Sequence, residues 1–251
     1  MNNYVAFTIA SISSLLSLNC ATAALYTGNG QPSDGAVSGG TLQLTDNGRT
    51  VSATFQRGSR SFDDDLVLFI DSVPGGFTST AGFGDKGTIS TMNISGINSD
   101  GSARSVATFA SGFAADYALV ICGQNTSGGL YQLANGGEGS IARVATVALN
   151  TDYNPNYTFS FSLSDIGLLS GAGNYFKLES TYVTLGGART TQSFESLSGS
   201  YGFNPVTFGN YSTYGVDPVP EMSNVALMIF GGMAVASRLY FRLRRRSEIA
   251  K

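Results

Sequence analysis

The sequence contains no histidine and no tryptophan. Without histidine, Ser-His-Asp and Cys-His catalysis are excluded, and so is zinc held by imidazole nitrogens. The absence of tryptophan removes the usual side chain for stacking on sugars, although 12 tyrosines and 16 phenylalanines could take its place. Carboxylates are therefore the only serious catalytic candidates in this chain.

Cysteine is nearly absent, with Cys20 and Cys122 as its two occurrences. Cys20 lies in a segment that is predicted to be cleaved, and the Ser17-Leu18-Asn19 sequence before it is a poor signal for the alternative, a lipid-anchored cysteine. The mature chain would keep one thiol, which cannot build a thiolate metal cage. Because Cys122 ends the apolar run 117–122, it is predicted to be buried and unreactive.

Charged residues make up only 12% of the sequence and are unevenly distributed. Six of the 14 basic residues lie after residue 237, whereas residues 24–218 hold 15 of the 17 acidic residues and eight basic ones. This central region therefore carries a net charge of about −7. Binding to nucleic acid requires a positive surface that faces the phosphates, so nucleic acid is excluded as a partner.

The N-terminus is typical of a signal peptide, predicted over residues 1–23. Residues 5–18 are mostly apolar or small, and Ala21 and Ala23 form an A-x-A cleavage site. The residues before this apolar stretch include no Lys or Arg, which departs from the usual pattern. The sequence predicts export through the Sec translocon and a mature chain that begins near Ala24.

The C-terminal segment has an apolar stretch followed by a basic cluster. A transmembrane helix is predicted at about 224–241, at the lower limit of length for a bilayer span, with Arg238 able to extend toward the headgroups. The positive-inside rule then predicts a cytoplasmic C-terminus. The basic residues that set this orientation are Arg242, Arg244, Arg245 and Arg246.

The motif before this apolar stretch is Val219-Pro220-Glu221-Met222-Ser223. With the Gly231-Gly232 pair and the terminal arginines, it resembles the PEP-CTERM sorting signal of Gram-negative, exopolysaccharide-producing bacteria. The resemblance covers about residues 219–246 and implies processing by the membrane protease exosortase, after a membrane-anchored intermediate, with delivery to the cell surface or extracellular matrix. Met222 departs from the family pattern, which usually has proline there. The alternative is a plain C-terminal membrane anchor.

Residues 24–204 are predicted to form one all-β domain, a β-sandwich of short antiparallel strands, followed by a spacer at 205–218. Asn47-Gly48 between two alternating runs is a strong hairpin signal, and 32 glycines argue against long helices. One helical turn is predicted at 164–169, with Ser164 as its cap. The predicted strands are 41–45, 50–55, 66–70, 105–109, 117–122, 130–133, 141–147, 157–163 and 175–185.

Three pieces of this domain, 63–71, 112–121 and 159–168, are similar to strands of DOMON-like sandwiches and family 9 carbohydrate-binding modules. In those modules a strand that ends in Asp pairs with a strand that carries Asp-Tyr. The resemblance covers about a third of the domain. It implies a ligand-binding sandwich and identifies no ligand.

Asp63, Asp64 and Asp65 form the best local carboxylate cluster, and they are the candidate ligands of a Ca²⁺ ion. Asp85 or Asp116 could complete such a site through loops. The alternative is a solvated start of a strand, where adjacent charges prevent unwanted edge pairing.

The three glutamates before the tail are Glu138, Glu179 and Glu195, and they lie in different segments. A glycoside hydrolase needs two carboxylates close together, and no sequence feature brings two of these together. The favoured function is therefore a non-catalytic surface or matrix protein with a structural or adhesive role and with extracellular polysaccharide as a possible partner. A carbohydrate- or Ca²⁺-binding module is the alternative, and a carboxylate-based hydrolase is the third hypothesis.

Overall fold

The computed structural model describes residues 23–33, 35–124, 127–150, 156–170, 174–184 and 186–216. The predicted signal peptide apart from Ala23, the sorting motif, the apolar stretch and the arginine cluster lie outside these residues. The predictions made for them remain predictions. Across the described part of the chain, no helix is long and apolar enough to cross a membrane.

The described residues adopt an all-β fold with mostly antiparallel sheets, as predicted. Its two helical elements are α1, Ile89–Ser95, and a 3₁₀ turn at Leu163–Ile166. The strands are β1 Ala24–Thr27, β2 Thr41–Asp46, β3 Thr50–Gln56, β4 Asp65–Asp71, β5 Ala107–Thr108, β6 Tyr117–Cys122, β7 Ser127–Gln132, β8 Ala142–Ala148, β9 Asn156–Ser162, β10 Tyr175–Val183, β11 Leu197–Gly199, β12 Val206–Phe208 and β13 Ser212–Gly215.

All nine predicted runs overlap observed strands, although the run at 105–109 is reduced to the two residues of β5. The predicted hairpin joins β2 to β3. Its turn is held by the Asn47 side chain, whose Oδ1 accepts from the amides of Arg49 and Thr50 at 3.0 and 2.8 Å. Gly48 supplies the positive φ of 75° that the turn requires.

Two sheets stack on one another in a sandwich-like arrangement. A four-stranded sheet has the order β1-β2-β3-β9, and a six-stranded sheet has the order β13-β10-β4-β6-β7-β8. Alternate side chains of β2, β3 and β9 meet alternate side chains of β4, β6 and β10 in the main hydrophobic core. This period of two follows from the pleat of a strand and produces the alternating sequence pattern.

Strand β4 is buried on both faces, which explains its continuous apolar sequence. Leu66, Leu68 and Ile70 belong to the main core between the two sheets. Val67 and Phe69 point the other way, into a second hydrophobic core. The six-stranded sheet is therefore the middle layer of three.

The outer layer over that second core consists of residues from the long 72–116 connection and a small three-stranded sheet, β11-β12-β5, in which β12 and β5 are parallel. Helix α1 belongs to this layer and was not predicted. It begins with a capping box, in which the Thr88 side chain accepts from the Thr91 amide, and it ends at Gly96 with a positive φ of 67°. Seven residues are too few to show an apolar stripe at helical spacing.

The predicted helical turn is present but shifted. It begins at Leu163 with Ser162 at the cap position, and no side chain caps it. The prediction that Ser164 caps this turn is wrong, because Ser164 lies inside it. Gly167 ends the turn with a positive φ of 74°.

The region predicted as a spacer is folded as far as Val216. Strand β12 pairs with β11, and β13 pairs with the edge of the six-stranded sheet at β10. The Tyr214 side chain is buried, and its hydroxyl donates to Asp46 Oδ2 at 2.7 Å. Short strands of Gly, Ser and Tyr look like a flexible linker in sequence, but here three buried side chains, Val206, Phe208 and Tyr214, attach them to both cores.

Candidate ligand groove

A groove of about 680 Å³ opens at one end of the sandwich. Its lining comes from parts of the chain that are distant in sequence: Gln31, Pro32, Ala36, Ser59, Arg60, Ser61, Asp63, Asp64, Tyr182, Thr190, Gln192 and Tyr201. We refer to this cavity as the tyrosine groove.

The wall of the tyrosine groove at Ala36 is held in place by Gln192. The Gln192 Oε1 atom accepts from the backbone amides of Val37 and Ser38 at 3.0 and 3.3 Å. Gly35 packs so closely against this side chain that a Cβ at position 35 would lie 1.9 Å from Oε1. Any larger residue at position 35 would therefore displace Gln192 from the groove wall.

The opposite wall, residues 59–64, is held by Arg57. Its Nη1 atom donates to the carbonyl oxygens of Gly58, Ser59 and Arg60 at 3.1, 3.4 and 2.9 Å. One guanidinium nitrogen thus contacts three consecutive peptide groups and holds this segment in place. Both walls are formed before any ligand arrives.

Between the walls lies Tyr182, a buried residue of β10. Its phenol oxygen accepts from the backbone amide of Asp64 at 3.1 Å. Burial raises the pKa of Tyr182 to about 12, so the phenol stays neutral at physiological pH. It acts here as a fixed polar group and not as an acid or base.

The most exposed aromatic side chain of the groove is Tyr201, which is 65% accessible. The same groove is lined by Asp63, Arg60 and Gln192, so it combines a flat apolar ring face with polar donors and acceptors. Ligands that match this combination have apolar ring faces and several hydroxyl groups.

The predicted calcium ligands are divided between two cavities. Asp63 and Asp64 line the tyrosine groove, whereas Asp65 lines a different cavity on the other side of β4. Within the described ranges no group of three or more His, Cys, Asp or Glu side chains is arranged to hold a metal ion. The calcium site remains a prediction, and the structure does not bring its three aspartates together.

Asp85 and Asp116, which could have completed the calcium site, anchor loops instead. Asp116 Oδ2 accepts from the amides of Ser72 and Val73 at 2.9 and 3.0 Å. Asp85 accepts from the amides of Gly87 and Ile141, both at 2.9 Å. Desolvation acts to raise the pKa of Asp85, but these backbone donors outweigh it and hold that pKa below its usual value.

The glutamates of the hydrolase hypothesis line none of the three described cavities. Glu138 is exposed, whereas Glu179 and Glu195 are buried. Glu179 accepts from the Ala110 amide at 2.9 Å, and Glu195 accepts from the amide and hydroxyl of Ser180 at 2.8 and 2.7 Å. Burial raises the pKa of Glu179 to about 9 and that of Glu195 to about 6. Neither of these two buried side chains lines any of the described cavities.

Sequence reasoning identified Asp63 and Asp64 but missed the other groove residues, Arg60, Gln192 and Tyr201. Gln31 and Thr191, whose backbone amide and hydroxyl meet at 3.1 Å, are separated by 160 residues. No local pattern could have revealed that these segments form one site. Comparison of the chain with protein-family models, with curated proteins and with solved structures gives no match.

Proposed function

We propose that this chain is an exported, non-catalytic surface or matrix protein whose sandwich attaches to extracellular polysaccharide through the tyrosine groove. The observation that supports the attachment best is the exposed Tyr201 ring on a groove whose two walls are fixed by hydrogen bonds. A preformed site loses little conformational freedom on binding, so more of the contact energy appears as affinity.

The charge of the domain narrows the class of polysaccharide. Residues 24–218 carry a net charge of about −7, which repels polymers rich in uronic acids. Two of the groove's charged residues, Asp63 and Asp64, are carboxylates, and Arg60 is basic. Neutral hexose polymers, which stack on phenol rings and share hydroxyl hydrogen bonds with carboxylates, fit this site better.

Replacing Tyr201 with alanine is expected to weaken binding of a neutral polysaccharide roughly tenfold, since loss of aromatic stacking removes about 1–1.5 kcal/mol. The thermal midpoint should change little because the ring is exposed. Isothermal titration or affinity electrophoresis of the secreted protein would measure the change.

The matched control is Tyr175→Ala, which removes another exposed tyrosine, 60% accessible, from outside the groove. Equal loss of binding in both variants would contradict a role for the groove. A native protein that binds no neutral glycan on an array would remove the proposal altogether.

The proposed route to the surface is signal-peptide cleavage followed by exosortase-type processing near Pro220-Glu221. The order of the terminal motifs in the sequence supports it. We expect the secreted protein to begin near Ala24 and to lack Arg242, Arg244, Arg245 and Arg246. Intact-mass measurement of the secreted species would check this, and a species that retains these arginines would favour a plain membrane anchor.

A further inference from the structure

A second cavity, of about 490 Å³, lies on the face of the six-stranded sheet that is opposite the main core. The first turn of α1 forms one wall with Thr88 and Ser90, and Tyr131 and Arg143 of β7 and β8 form another. Its volume falls within the roughly 300–1,000 Å³ range of small-molecule sites. We refer to it as the Asp65 cavity, after its most deeply buried polar residue.

Asp65 is only 2% accessible, and its carboxylate is half satisfied. Oδ2 accepts from Asn93 Nδ2 at 2.6 Å, whereas Oδ1 is buried and has no hydrogen-bond partner. The Cys122 thiol contacts the same carboxylate, but a thiol is a weak donor. An unpaired oxygen of this kind is costly in a buried position and favours a ligand that donates to it.

Asn93 cannot turn to satisfy the free oxygen. Its own Oδ1 accepts from the backbone amide of Gly187 at 2.9 Å, which fixes the orientation of the amide group. The Asn93 side chain is fully buried between β4 and the loop at residues 186–187. The Asp65 carboxylate is thus held in a fixed orientation at the wall of the cavity.

No basic side chain neutralises Asp65 within the described part of the chain. Arg143 lines the same cavity but directs its Nη2 to the Gly128 carbonyl at 2.6 Å and lies 6.0 Å from the centre of the Tyr131 ring. Burial raises the pKa of Asp65, as expected for a carboxylate without a cationic partner. A ligand that donates a hydrogen bond and carries a positive charge would complement the Asp65 carboxylate.

We propose that the Asp65 cavity binds an amino sugar with a free ammonium group, which donates to the half-satisfied carboxylate of Asp65. The hydroxyls of Thr88 and Ser90 offer hydrogen bonds to the ring hydroxyls of such a ligand. This site is separate from the tyrosine groove, and it does not depend on the proposed binding of neutral glycans there.

The test is titration of the secreted protein with glucosamine, N-acetylglucosamine and glucose, followed by ligand-observed NMR or calorimetry. Glucosamine should bind at least roughly tenfold more tightly than the other two, because a hydrogen bond between oppositely charged groups is stronger than one between neutral groups. Equal affinities for the three sugars, or no binding of glucosamine, would overturn the proposal without using any variant.

Two substitutions test whether glucosamine binds in the Asp65 cavity. Asp65→Asn should remove the preference for glucosamine, whereas the matched control Asp63→Asn, which changes a carboxylate in the tyrosine groove, should keep it. If Asp65→Asn does not fold, Ser90→Tyr serves instead by filling the mouth of the cavity from α1. A preference for glucosamine that survives either cavity variant contradicts this site.

Discussion

Replacing the buried Glu179 with glutamine is expected to stabilise the folded protein at pH 7 by about 3 kcal/mol. Burial raises the pKa of this carboxyl from 4.5 to about 9, so the folded state holds at pH 7 a proton that the unfolded chain has released. This group therefore contributes its full stability below pH 4.5 and loses it as the pH rises toward 9. Glutamine is always neutral and removes that loss while its oxygen can still accept from the Ala110 amide.

Urea unfolding followed by circular dichroism at several pH values would measure this effect. The pKa of Glu195 is also raised, but only to about 6. The contribution of Glu195 to the free energy of unfolding therefore changes mainly between pH 4.5 and pH 6. The interval from about pH 6.5 to 8.5 therefore isolates Glu179. In this interval the free energy of unfolding of the native protein should fall steadily with pH, whereas that of Glu179→Gln should change little.

The exposed Glu138 provides the control, because Glu138→Gln changes the same charge at the surface. The free energy of unfolding of Glu138→Gln should depend on pH in the same way as that of the native protein over the whole range. Parallel slopes for Glu179→Gln and the native protein above pH 6.5 would show that Glu179 is not held neutral in the fold.

Replacing Arg189 with alanine is expected to destabilise the protein by about 4 kcal/mol or to prevent folding. This arginine is fully buried, and its Nε and Nη2 donate to the carbonyls of Ser105 and Ile94 at 3.1 and 2.7 Å. Its guanidinium also lies 5.5 Å from the centre of the Phe69 ring. Alanine leaves a large void and two buried carbonyls without these donors.

Arg189→Met separates the two causes, because methionine fills much of the volume but donates no hydrogen bond. We expect the free energy of unfolding of Arg189→Met, measured in urea, to lie between those of the native protein and Arg189→Ala. Arg49→Ala, at an exposed position, should change the free energy of unfolding by less than about 0.5 kcal/mol. A similarly small change for Arg189→Ala would mean that the carbonyls find other donors at little cost.

The elements that could be predicted from sequence are those set by local chemistry. The β2–β3 hairpin depends on Asn47 and Gly48 and on the alternation of the strands they join, and all of this is visible in a short window. The continuous apolar run of β4 likewise indicated a central strand. Both predictions are confirmed.

The elements that could not be predicted depend on distant contacts. Strand β13 contributes one side chain, Tyr214, to the main hydrophobic core. It forms a strand because it pairs with β10 at the edge of the six-stranded sheet. The burial of Glu179 and Arg189 contradicts their usual preference for the surface, and it depends on the backbone groups that bind them. The tyrosine groove depends on loops that meet only after the sheets have stacked.

The separation of the aspartates is an intermediate case. Consecutive side chains of a strand point to opposite faces, so Asp65, at the start of β4, could have been expected to leave its neighbours. The calcium prediction treated the three as a group because it considered their charge and not the pleat. The resemblance to carbohydrate-binding sandwiches and to exosortase substrates remains a prediction.

The position of β4 between two cavities also bears on how this protein can change over evolutionary time. Asp64 borders the tyrosine groove, and Asp65, the next residue, borders the cavity on the opposite face of the sheet. A point substitution at either residue would alter the lining of one cavity and leave that of the other intact. An insertion or deletion of one residue at this point would exchange the two faces and disturb both at once. Under the two binding proposals, substitutions at these neighbouring residues would change the two specificities independently, whereas a change in chain length at residues 61–64 would affect both.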